Sequence, residues 1–68
     1  MELNIEIERE TDGRWLASIP ALRGVMVYGA TRAEAVLNVQ ALALHVIADR
    51  MEHGEPVPDP LRIEFLAA

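Results

Sequence analysis

Between Thr31 and Gly54 lies one helical pattern long enough to dictate how the rest of the chain must fold. Thr31-Arg32-Ala33-Glu34 has the spacing of a capping box. Thr31 can accept from the amide three residues on, and Glu34 can reach back to the Thr31 amide. Gly54 suits the left-handed position after a helix end, and Pro56 prevents continuation. The spacing predicts a helix from about Arg32 to Glu52. One helix of that length in a 68-residue chain leaves a single partner layer, the strands on either side of it.

Those strands are read from alternation. Leu3, Ile5 and Ile7 point one way, and Glu2, Asn4, Glu6 and Glu8 the other. That is period two, a strand over residues 2–9 with one buried face. Asp12-Gly13 supplies a tight hairpin. Residues 14–19 make a second strand that Pro20 stops, and residues 25–28 a third, closed by Gly29. After the helix, Pro-Val-Pro-Asp-Pro at 56–60 is extended and stiff. Residues 61–66 make a last strand with Leu61, Ile63 and Phe65 on one face. The expected fold class is α+β, in the order β-β-β-α-β, with an antiparallel sheet packed by one long helix. Residues 1–68 form a single domain, with no internal repeat and no linker.

Helix and sheet both carry more apolar surface than one layer covers. At 100° per residue, one arc holds Val36, Leu37, Ala43, Leu44, Ile47 and Met51, expected against the sheet. A second flank holds Ala35, Val39, Leu42 and Val46. Sheet curvature could bury both; alternatively the second flank is a subunit contact. Strand three is apolar on both faces, Val25 and Val27 against Met26 and Tyr28, and one helix covers only one face. Either long neighbours shield the outer face, or a partner lies on it or extends the sheet edge.

Size and charge narrow the partner. A domain this short buries only about 60% of its unfolded surface and commonly needs disulfides, a metal or a partner subunit. Cysteine is absent, which excludes disulfides and thiolate metal sites. Eleven acidic residues against six basic ones, all Arg, give a net charge of -5. Such a surface repels phosphate backbones and anionic membranes, so no direct nucleic-acid or membrane partner is expected. A basic protein is the natural partner. The row Glu2, Glu6, Glu8 and Glu10 is either a solvated strand face or a docking strip for such a partner. No apolar run approaches a membrane span and no secretion signal opens the chain, so a cytoplasmic location is expected.

Enzyme chemistry finds little support, and no catalytic, cofactor or metal site is expected. His45 and His53 are eight residues apart and do not converge; His45 and Asp49, at i and i+4, can pair as a helix-surface contact. Ser18 lacks a nucleophile elbow, and the four Gly residues form no phosphate loop. A row of carboxylates along a strand does not converge as a metal requires. Trp15 reads as a core or interface anchor.

Four segments in register carry a family resemblance. They are Asp12-Gly13-Arg14-Trp15, Pro20-Ala21-Leu22-Arg23-Gly24, Gly29-Ala30-Thr31-Arg32-Ala33-Glu34-Ala35 and Gly54-Glu55-Pro56-Val57-Pro58. Together they resemble the HicB-like antitoxins of type II toxin–antitoxin systems, which read Asp-Gly-Gly-Tyr, Pro-x-Leu-Pro-Gly-Cys and Gly-Asp-Thr-x-Glu-Glu-Ala before a long helix. Arg14, Val25 and Ala30 depart from that pattern. The resemblance implies a partial ribonuclease H-like fold without that enzyme's carboxylate cluster. It also implies a role in masking a small basic mRNA-cleaving toxin, HicA. Many members add a DNA-binding segment; this chain, ending soon after Phe65, is expected to lack one.

The first expectation is therefore a non-enzymatic, homo-oligomeric antitoxin-like protein that masks a HicA-type toxin. The alternative is an orphan homodimeric or tetrameric module without a toxin. A residual hydrolase is a third. The candidate partner or oligomer contacts are Glu6, Glu8, Trp15, Met26, Tyr28, Val39, Leu42 and Val46.

Overall fold

The first chain reversal is held by Asp12. Its Oδ1 accepts from the Arg14 backbone N–H at 3.0 Å, and Gly13 takes φ 91°, a left-handed value that costs a residue without a β-carbon little. The Glu10 N–H donates to Arg14 O at 2.7 Å and closes the hairpin. In the computed structural model, which describes residues 1–67, this turn joins β1 (Glu2–Arg9) to β2 (Trp15–Ser18). A loop with buried Leu22 leads to β3 (Met26–Gly29), followed by α1 (Arg32–Glu52) and β4 (Glu64–Ala67). The fold is α+β, one helix against a four-stranded sheet of order β3-β2-β1-β4.

The sheet is mixed, which corrects the expectation of an antiparallel one. β1 pairs antiparallel with β2, and β2 with β3, but β1 pairs parallel with β4. Two reversals return β3 to the direction of β1. The helix then carries the chain back across the sheet, so β4 re-enters along β1. β4 also begins later than expected. The N-terminal amine donates to Arg62 O at 2.7 Å and the Glu64 N–H to Met1 O at 2.9 Å, where the ladder starts. Leu61, Ile63 and Phe65 nonetheless pack against the core on one face.

The helix ends follow the sequence closely. Thr31 Oγ1 accepts from the Glu34 N–H at 3.1 Å, which is half of the capping box; among the described residues Glu34 does not return the bond. At the other end the Gly54 N–H donates to Met51 O at 3.2 Å and the Glu55 N–H to Arg50 O at 3.0 Å, with Gly54 at φ 76°.

The face that α1 buries differs from the expected arc. Ala35, Val39, Ala43 and Ile47, at a spacing of four, lie against Leu3, Ile5, Ala17, Ile19, Leu22 and Val25. Leu37, Leu44 and Met51, expected on the sheet, are 67%, 48% and 47% exposed. The reason is the seat. Ala17 and Gly29 leave a shallow surface on β2 and β3, both fully or nearly buried. A helix meets such a surface closely when it presents Ala35 and Ala43 rather than leucines. Close approach preserves interior packing density.

Candidate functional site

The helix covers one face of the sheet and leaves the other open. Register sets what stands there. Tyr28, Leu16 and Glu8 lie in one cross-strand row, and Met26, Ser18 and Glu6 in the next. On the far side Glu2 stands beside Glu64 and Asn4 beside Leu66. The open face is thus divided: Met26, Tyr28 and Leu16 make an apolar half on β3 and β2, and Glu2, Glu6, Glu8 and Glu64 an acidic half on β1 and β4.

Among the described residues no cation neutralises the acidic half. The described ion pairs, Arg14 with Asp12 and His53 with Asp49, use none of these four glutamates. Same-face neighbours along a strand are about 7 Å apart and paired strands about 4.8 Å apart, so the carboxylates repel one another, Glu2 and Glu64 most directly. On the apolar half Met26 is 57% and Tyr28 46% exposed. The Arg14 guanidinium lies 4.1 Å from the centre of the Tyr28 ring. Asp12 holds that guanidinium through Nε at 2.7 Å. The Arg14 backbone N–H, and then its side chain, keep the Asp12 carboxyl below its ordinary value. Beside Met26 the β2–β3 loop forms a recess of about 270 Å³ lined by Ile19, Leu22, Val25 and Arg23. That is slightly below the size of a usual small-molecule pocket.

Four of the expected contact residues, Glu6, Glu8, Met26 and Tyr28, come together on this face. The others do not. Trp15 points to the helix side, half-buried against the core with Arg9 5.8 Å from its ring centre. Val39 is wholly buried, and Leu42 and Val46 are partly buried against the core. The packed face therefore draws on both flanks, Ala35 and Val39 from the one read as spare and Ala43 and Ile47 from the arc expected on the sheet, and the spare surface belongs to Leu37, Leu44 and Met51. Glu64 and Leu66 join the open face through the parallel register of β4, which alternation in β1 alone does not reveal. The expected His45–Asp49 pair is also displaced: His53 Nδ1 lies 2.7 Å from Asp49 O and 3.3 Å from Asp49 Oδ1, drawn by the carbonyls at the helix end. Among the described residues no group of three or more His, Cys, Asp or Glu side chains is placed to hold a metal. Among the described residues no helix is long and apolar enough to cross a membrane.

Over 58 residues the chain is 29% identical to UPF0150 protein Ta0767 of Thermoplasma acidophilum, an alignment spanning 85% of this chain and 84% of that protein. No family model matches the chain, and no solved structure matches it.

Proposed function

We propose that this protein is an antitoxin-type binding module that masks a small basic protein, of the HicA mRNA-cleaving kind, on the open face of its sheet. The observation that carries the reading is the division of that face. A row of unneutralised glutamates lies directly beside exposed Met26 and Tyr28. A basic partner would relieve the repulsion among Glu2, Glu6, Glu8 and Glu64, while its apolar groups cover Met26, Tyr28 and Leu16. Charge would guide the encounter and apolar burial would hold the complex.

Two further findings support the reading. The HicB-like segments fall at the hairpin, the β2–β3 loop, the helix start and the helix end, so they are residues that shape the fold. The UPF0150 relative runs over nearly the same length. The mechanism is occlusion, and it needs no catalytic group in this chain. The test is co-expression with the small basic protein encoded beside it, followed by size exclusion with light scattering. A stoichiometric complex that suppresses the partner's ribonuclease activity is the expected result. Separate elution of the two chains overturns the reading.

A further inference from the structure

We propose that the outer side of α1 is a self-association seam and that its occupant is a second copy of this chain, packed antiparallel. Leu37, Ala41, Leu44, Ala48 and Met51 are all exposed and follow one another at steps of four, three, four and three. That is the repeat by which two helices keep a seam in register. Large and small residues alternate along it. The order large, small, large, small, large is unchanged when read backwards, which is what an isologous two-fold contact requires. In an antiparallel pair, Leu44 of each copy meets Ala41 or Ala48 of the other, so the helices approach closely and their dipoles oppose.

Charge selects the second copy over another occupant. Every copy carries a net charge of -5, so copies approach only where the surface is neutral. The middle of the seam is bordered by Gln40, Asn38 and His45; Asp49, beside Ala48, lies 3.3 Å from His53 Nδ1, and Glu34 and Glu52 stand at the seam's ends. A basic partner is drawn instead to the glutamates on the far side of the molecule. The helix, about 30 Å long, runs along a molecule of 40 × 20 × 16 Å. A single helix seam is narrow against the about 1,200 Å² in total that a stable interface needs. The expected dimer is therefore concentration-dependent. It leaves the open sheet face free, so the proposal stands or falls separately from toxin masking.

The test is sedimentation velocity on the isolated chain across a concentration series. Wild type is expected to move from the 7.5 kDa monomer to a species of twice that mass. Leu44→Glu, or Ala48→Glu should the first variant fold poorly, is expected to remain monomeric with an unchanged far-ultraviolet dichroism spectrum. Met26→Glu, on the opposite face, is expected to dimerise as wild type does. A wild type that stays monomeric into the millimolar range overturns the proposal, as does a dimeric Leu44→Glu or a monomeric Met26→Glu. The chain has no cysteine, so Leu37→Cys reports orientation. An antiparallel pair separates the two copies of position 37 and gives no disulfide-linked dimer; ready cross-linking overturns the antiparallel arrangement.

Discussion

A β-carbon placed on Gly29 would lie 2.8 Å from the Cα of Ala35 and 3.0 Å from its Cβ, so the last residue of β3 and the first turn of α1 touch backbone to backbone. This contact sets how low the helix rides over the sheet, and with it which helix flank is buried. Gly29→Ala should destabilise the fold by about 1–3 kcal/mol, the range for overpacking a filled core. Ala35→Gly in the same chain should not restore the loss, because the Ala35 backbone atoms remain in the way. Denaturant midpoints of the single and double variants check both statements.

Thr31 provides the side-chain bond at the start of α1, to the Glu34 N–H. Replacing an N-cap threonine by alanine costs about 1 kcal/mol. Thr31→Ala should show that loss. Glu34→Gln should be close to neutral, since Glu34 contributes its backbone here rather than a return bond. Urea unfolding of the two variants separates the roles.

Elements were legible in this sequence where a local rule decides them. The alternation of Leu3, Ile5 and Ile7, the Asp12-Gly13 turn and the Thr31-to-Gly54 helix all appear in the structure. The partner strand of β4 and the buried flank of α1 were not legible, because both depend on contacts distant in sequence. Strand direction follows from counting reversals, but pairing of β4 with β1 rather than β3 is a tertiary choice. The helix flank is decided by the small residues Ala17 and Gly29 beneath it, whereas a helical projection weights the large residues of the helix itself. The open face was half legible: Glu6, Glu8, Met26 and Tyr28 follow from alternation, while Glu64 and Leu66 needed the register.

Asp12 is exposed, yet the Arg14 backbone N–H and guanidinium favour its charged form. Its carboxyl should titrate below the other exposed carboxylates in a carbon-detected NMR titration. A depressed folded value means that the small contribution to stability is present above the ordinary carboxylate range and is lost as pH falls through the folded value. Arg14→Ala should return Asp12 only part of the way toward that range, because the Arg14 backbone N–H remains, while leaving the hairpin formed; an unshifted Asp12 in the wild type would remove the basis for this pair.

Val39 and Leu37 test the placement of the helix. Val39 is fully buried, so Val39→Ala removes core volume and should cost about 2 kcal/mol. Leu37 faces outward, so Leu37→Ala should stay within about 0.5 kcal/mol when measured at concentrations where the chain is monomeric. Chemical denaturation at low micromolar concentration gives both values. The reverse order would mean that the helix is rotated and that the flank of Leu37, Leu44 and Met51 packs on the sheet.

Among the described residues Glu6 and Glu8 form no ion pair on the open face, so on the proposed reading they serve encounter rather than stability. Changing both to Gln should leave the isolated chain's stability within about 0.5 kcal/mol, as for other surface substitutions. Association with a basic partner should slow by about tenfold at low salt, and the steep fall of the rate with ionic strength should flatten. Dissociation should change little, because the apolar half around Met26 and Tyr28 is intact. Stopped-flow association at several salt concentrations resolves the two rates. An unchanged association rate at low salt would remove the acidic half from the docking surface and leave the apolar half to carry recognition alone.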